Sequence, residues 1–355
     1  MKNNIVTQKR VLIIKAGRVG DTVWGTTVIG PIMAYLGEHT RFDIIVAQGM
    51  GALFKHDSRF ETIFEINHRN IPFIMSPTKL SVVCKSLQHP YDLVVNLETS
   101  SHFSSVMHFV RATQKIEAST LPPQEYKPDR RNMVHYISNI LAQGVPVEFC
   151  QLAATSLKVP EYVDVAALVG NDREYLCLHP GNSLLARGKP ALRSWPESHW
   201  CDLIKLISQR VPDIQIVLIG EKSERALSER ITTSFPGVIN LAGRTGLPQL
   251  MAVLAHAQAL VTTDTGPAHV AAALTTPVIA VFGPSEAQGT GPLSSAEGWS
   301  VAVTKNIECS PCVNTVRAKT CVDNICMQAI SASEIMNVLE DALQKRSRTP
   351  VVELG

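Results

Sequence analysis

An alternation along most of the chain constrains its fold more than any other feature. Short, β-rich, almost wholly apolar runs are separated by longer amphipathic stretches. In the first half the apolar runs are 11–15 (VLIIK), 42–47 (FDIIVA), 61–66 (ETIFEI) and 91–98 (YDLVVNLE). In the second half they are 175–181 (YLCLHPG), 214–220 (IQIVLIG), 238–243 (VINLAG), 259–264 (ALVTTD) and 277–283 (PVIAVFG). Helical patterns fall between them, at about 22–36, 78–88, 197–210, 223–234 and 247–257. A strand apolar on both faces must be covered on both faces, and a parallel sheet flanked by its own crossover helices does this. The fold class is therefore α/β with parallel sheets. Residues 144–174 interrupt the alternation, and each half holds enough βα units for a sheet of its own. The expected domains are 1–165 and 166–355, within ordinary domain sizes. A last helix at about 333–346 is assigned to the second domain, with the option of packing back on the first. Ligands of such sheets bind beyond the C-terminal ends of the strands, so a cleft between two facing domains is the expected site.

Bulk properties narrow the function. With 45% hydrophobic and 18% charged residues the chain can bury sizeable cores. A net charge of +2 argues against nucleic acid as the main partner. No apolar run reaches the roughly 18 residues that a membrane span needs. The first run, VLII, is too short for a signal-peptide core. A cytoplasmic chain is expected.

Four motifs sit where strands meet helices. In KAGRVGDTVWGTT (15–27), Gly17 and Gly20 permit a tight turn, and G-x-G-x-x-G is absent, against a standard nicotinamide or flavin site. Asp21 stands at the helix start, where a helix cap and a catalytic carboxylate are both open readings. The loop 179–200 (HPGNSLLARGKPALRSWPESHW) carries Asn182, Ser183, Arg187, Lys189 and Arg193 and no acid before Glu197. It suits a phosphate, or is a solvated surface loop. In LIGEKSER (218–225), Glu221 or Glu224 can accept from ribose hydroxyls, or simply favour a helix start. Finally, TTDTGPAHVAAALTTPVIAVFGPS (262–285) ends a strand on Asp264 and opens a helix at 267–274. Thr265 or Gly266 caps it, Pro267 fits its first position, and its free N–H groups suit a phosphate. His269 lies in the first turn. Asp264 would repel a diphosphate, so it is expected to organise the turn or bind sugar hydroxyls.

Residues 262–285 resemble the signature of the family 9 glycosyltransferases, the ADP-heptose:lipopolysaccharide heptosyltransferase group. The matching residues are Asp264, Thr265, Gly266, His269, Pro277, Phe282, Gly283 and Pro284. VLIIKAGRVGDTVWGTTVIGPI is similar to the family's N-terminal strand and Gly-Asp turn, and RSWPESHW to its Lys/Arg-x-Trp-Pro element. The resemblance implies a GT-B architecture of two Rossmann-like domains facing a cleft, acceptor on the first and nucleotide-sugar on the second. It implies inverting transfer from ADP-heptose to a lipopolysaccharide inner core or related glycan, with no catalytic metal. It makes Asp21 the base, Arg193 the diphosphate residue, Asp264, Gly266 and His269 the donor turn, and Glu221 the acid at the nucleoside; from the loop and turn themselves, Asn182, Ser183, Lys189 and Thr265 are expected beside them at the donor. Asn182-Ser183 stands where the family has paired threonines. The rival functions are a GT-B nucleotide-sugar epimerase or hydrolase, and a binding protein without catalysis. No nucleic acid is expected, and peripheral contact with the inner membrane is.

The chain has eight cysteines. Four are scattered, and Cys309, Cys312, Cys321 and Cys326 form a C-x2-C-x8-C-x4-C array. Structural zinc or iron, reduced structural thiols and a redox pair all remain open readings. No cofactor is expected for the chemistry itself.

Overall fold

The structure is a computed structural model that describes residues 8–120, 133–170, 173–182, 192–294, 298–313 and 315–348. The chain divides into two compact units, Met1–Lys158 and Val159–Gly355, which places the division ahead of residue 165.

The first unit holds strands β1 (Arg10–Ile14), β2 (Arg41–Ala47), β3 (Phe60–Ile66), β4 (Tyr91–Asn96) and β5 (Ala112–Glu117). All pair in parallel, in the order β3-β2-β1-β4-β5. The helices are α1 (Val19–Trp24), α2 (Ile29–Leu36), α3 (Pro77–Gln88), α4 (Ser104–Phe109) and α5 (Met133–Leu141). The single helix expected over 22–36 is broken by a tighter turn, Gly25–Val28. There the Thr26 and Thr27 hydroxyls donate to the carbonyls of Val23 and Trp24, which competes with the α-helical ladder. Strand β5 was not expected, because ATQKIE alternates polar and apolar and lies at a sheet edge, where one face is wet.

The second unit holds β6 (Tyr175–Leu178), β7 (Gln215–Leu218), β8 (Ile239–Asn240), β9 (Leu260–Thr263), β10 (Val278–Val281) and β11 (Ser300–Val303). They form a parallel sheet in the order β11-β10-β9-β6-β7-β8. Read from its own first strand this is the 3-2-1-4-5-6 order of dinucleotide-binding folds. Its main helices are α6 (Glu197–Arg210), α7 (Arg225–Ser234), α8 (Leu247–His256), α9 (Gly266–Ala273) and α10 (Ala332–Arg348). β11 also escaped the sequence reading, being four residues long and at an edge.

The last helix, expected at about 333–346, has an apolar face. Ile335, Met336 and Leu339 of α10 are buried in the second unit's core with Leu203 and Ile207 of α6. Burying each such side chain contributes about 1.5–3 kcal/mol. Among the described residues no helix is long and apolar enough to cross a membrane.

In both sheets the strand order reverses beside the first strand, between β1 and β4 and between β6 and β9. Open α/β folds bind ligands beyond the strand ends at such reversals.

Candidate functional site

At the first reversal point, β1 ends at Ile14 and the chain turns through Lys15–Arg18 into α1. Arg18 is the helix cap, and Thr22 donates its N–H to the Arg18 carbonyl at 2.8 Å. Asp21 is therefore three positions into the helix and not its cap, a correction to the simplest reading. Its Oδ2 accepts the Arg18 backbone N–H at 3.2 Å, as the acid of a capping box does. Oδ1 accepts no hydrogen bond among the described residues. One oxygen thus holds the turn and the other is left for chemistry. Gly17 is required by close approach, since a Cβ there would lie 2.2 Å from the Asp21 Cβ. Asp21 lines a cavity of about 280 Å³ with Lys15, Trp24, Thr99, Tyr136 and Ile140.

The opposite strand tip supplies Glu98, which is buried. Its Oε1 accepts the Ala16 N–H at 3.1 Å and lies 3.6 Å from the Lys15 Nζ, while Arg69 reaches Oε2 at 3.1 Å. Glu98 ties the end of β4 to the turn that carries Asp21. Sequence reasoning passed over Glu98, although YDLVVNLE, like ALVTTD, is an apolar strand ending on a carboxylate.

At the second reversal point, Thr265 caps α9 with extended backbone (φ −145°, ψ 168°), Gly266 is the first helical residue and Pro267 the second. The helix starts one residue earlier than expected. Pro267 removes a donor that an early helical position leaves without an intrahelical partner, so it fits there. His269 is buried in the next turn. Asp264 is buried and its Oδ2 pairs with the Arg193 guanidinium at 2.9 Å. The expected turn carboxylate and the expected diphosphate cation are therefore held against each other. Trp195, two residues past Arg193, anchors that cation. Its ring is buried against Trp200 (centroids 4.9 Å apart) and its Nε1–H donates to the Ile330 carbonyl at 2.8 Å.

A buried polar chain fixes the same turn from behind. His179, at the tip of β6, lies 3.1 Å through Nδ1 from the hydroxyls of both Thr262 and Thr265, and 3.2 Å through Nε2 from Glu224 Oε2. That oxygen also accepts the Glu221 N–H at 2.7 Å. Burial pushes the Glu224 carboxyl up, but the hydrogen bond and charge of His179 and the Glu221 N–H outweigh it, leaving the group below the usual carboxylate range. Glu224 fills the space between two strand tips, and a Cβ on Gly181 or Gly220 would come within 2.3 Å or 2.9 Å of its side chain. Of the two glutamates considered in this motif, Glu224 is inside and Glu221 is exposed. His179 was missed altogether. Its signal was a polar residue between an apolar strand and Pro-Gly, with no helix to cap.

Asn182 is buried near this turn region, whereas Ser183, Arg187 and Lys189 lie outside the described residues.

Cys309, Cys312, Cys321 and Cys326 line one cavity of about 320 Å³ together with Leu192 and Pro284. Asn324, in the same wall, donates to the Ser194 carbonyl at 3.1 Å, so the cysteine segment buttresses the Arg193 turn. All four are free thiols. Burial and the neighbouring cysteines push the Cys312 and Cys326 thiols up. No group of three or more His, Cys, Asp or Glu side chains among the described residues, these four included, is gathered to hold a metal ion.

The pattern of Glycosyltransferase family 9 (heptosyltransferase) matches residues 82–322. Lipooligosaccharide heptosyltransferase 2 of Haemophilus influenzae is 32% identical over 160 residues, 44% of this chain and 43% of that one. Lipopolysaccharide heptosyltransferase 2 of Escherichia coli is 38% identical over 110 residues, 30% of this chain and 31% of its own. The chain thus aligns with less than half the length of these curated relatives. The solved structure of E. coli ADP-heptose lps heptosyltransferase II shares the fold, with a TM-score of 0.70 at 19% identity over 96% of this chain and 100% of that one. Two parallel α/β units of this kind are those of the GT-B fold. The matched stretch runs from α3 through the whole strand-tip turn of the second unit and covers more than half of the sequence, so the chain belongs to glycosyltransferase family 9, the heptosyltransferase family.

Proposed function

We propose that the chain is an inverting heptosyltransferase that moves a heptose from ADP-heptose to a lipopolysaccharide-core or related glycan acceptor, with Asp21 as general base. The observation that carries this is the state of Asp21: one oxygen is spent on the turn, the other is free, and the carboxylate lines a cavity wide enough for a sugar hydroxyl.

The balance is simple. The acceptor oxygen forms the new bond to the anomeric carbon as its proton passes to Asp21 Oδ1. The bond from that carbon to the diphosphate oxygen breaks on the opposite face, and ADP leaves with the electron pair. Arg193 and the N-terminus of α9 stabilise the charge that develops there. Asp264 aims Arg193, while Thr265, Gly266 and His269 line the donor turn. Asn182, Ser183 and Lys189 contact the donor phosphates, and Glu221 the nucleoside. The cysteine array is a wall of reduced thiols that supports the Arg193 turn, and no metal enters the reaction. With a glycolipid acceptor the chain works in the cytoplasm, peripheral on the inner membrane.

A thermal-shift comparison of nucleotide-sugars tests the donor. ADP-heptose at a hundred times its Kd stabilises the chain by about 2.7 kcal/mol, and UDP-, GDP- and CMP-sugars leave the melting temperature unchanged. Stabilisation by one of those donors, with none by ADP-heptose, contradicts the assignment.

A further inference from the structure

The first unit carries an apolar strip that its own core does not use. Helix α3 turns Leu80, Cys84 and Leu87 outward, at the i, i+4, i+7 spacing that places them on one face. The turn that precedes it, Phe73–Met75, exposes Ile74 and Met75, the former to 78%. Phe109, at the end of α4, is 54% exposed and stacks on Phe73 with centroids 5.2 Å apart. Both the 73–75 turn and α4 pack against α3, which brings these exposed residues to neighbouring elements of one unit. A buried lysine locks its base: Lys79 Nζ donates to the carbonyls of Arg69, Ile71 and His102 at 2.8–2.9 Å.

The two stretches of chain that carry the strip supply basic residues and no acid. Residues 67–91 and 99–116 contain no Asp or Glu, yet hold Arg69, Lys79, Lys85, Arg111 and Lys115. Arg69 and Lys85 are paired with acids from outside these stretches. Arg111 is exposed, makes no ion pair among the described residues, and donates its backbone N–H to Ser86, next to Leu87. Lys115 donates to the carbonyls of Met107 and His108, beside Phe109, and makes no ion pair among the described residues.

We propose that this strip is a docking surface for an anionic lipid bilayer. Outward Leu, Ile, Met and Phe side chains enter the headgroup boundary while the uncompensated Arg111 and Lys115 meet lipid phosphates. The biological sense of the surface rests on the glycolipid acceptor proposed above, but its geometry does not.

Co-sedimentation of the full chain with vesicles tests it, with no sugar nucleotide present, so the result is independent of the donor assignment. The chain binds phosphatidylcholine vesicles that contain phosphatidylglycerol, binds pure phosphatidylcholine weakly, and is released by salt. The double variant Ile74→Ser, Phe109→Ser loses about tenfold or more in partitioning, because the lost affinity follows the apolar area removed. Arg111→Glu weakens binding to the anionic vesicles and leaves binding to neutral ones unchanged. The double variant stays folded, with a melting temperature lowered only by the lost Phe73–Phe109 stacking, and keeps wild-type turnover on a delipidated acceptor. Absence of vesicle binding by the native chain, or full binding by the double variant, overturns the proposal. So does a native dimer that the double variant converts to monomer, since the strip would then be a contact between copies.

Discussion

Asp21→Asn lowers turnover by roughly 10²–10⁴-fold, with donor affinity and melting temperature little changed. Asn keeps the shape of Asp, and its side-chain oxygen can still accept the Arg18 N–H, so the turn survives with a loss of at most about 1 kcal/mol. What disappears is a basic oxygen at the cavity. The hydrogen bond from Arg18 occupies Oδ2 alone, so holding the turn and the proposed proton transfer fall on different atoms. Steady-state rates, calorimetric titration with donor and a melting curve on the same preparation separate them. Near-normal turnover in the variant would leave Asp21 as a structural acid and the mechanism without a base.

Asp264→Ala weakens donor binding by roughly ten- to a hundredfold, equivalent to about 1.4–2.7 kcal/mol. The effect is routed through Arg193. Asp264 is buried and holds the guanidinium at 2.9 Å, so removing it frees the cation from the direction in which the proposed mechanism sets it against the diphosphate. Trp195 stays packed and keeps the backbone of the turn in place, so the fold is retained. Calorimetric titration with ADP-heptose reads the change. Unchanged affinity would show that the Asp264–Arg193 pair serves the turn and nothing else.

The architecture was legible because parallel strands covered on both faces are written as apolar runs, such as VLII and PVIAVFG, that few other structures tolerate. The two strands that escaped, Ala112–Glu117 and Ser300–Val303, are edge strands, where half the pattern is solvent or the run is too short to register. The candidate site was legible where a residue type breaks local expectation, as Asp-Thr-Gly-Pro does at the end of a buried strand. It was illegible where the function of a residue is to hold another one. His179 and Glu224 are 45 positions apart, and only pairing of β6 with β7 and β9 brings them together behind Thr265. Glu98 and Ala16 are 82 apart and meet through the pairing of β1 with β4. The cysteine spacing left its readings open for the complementary reason. Metal-knuckle spacing fixes neighbours in sequence, but whether the sulfurs converge depends on how the segment packs on Ser194 and Pro284.

The measurement that bears most directly on the account is a transfer assay read by mass spectrometry and anomeric-proton NMR. Chelator-treated chain, ADP-heptose and a heptose-deficient lipopolysaccharide core are incubated together. The account predicts one heptose added to the core, with inverted anomeric configuration and an equal amount of ADP released, and no donor turnover when the core is left out. Donor consumed without acceptor, retained configuration, or transfer that requires added metal would contradict it.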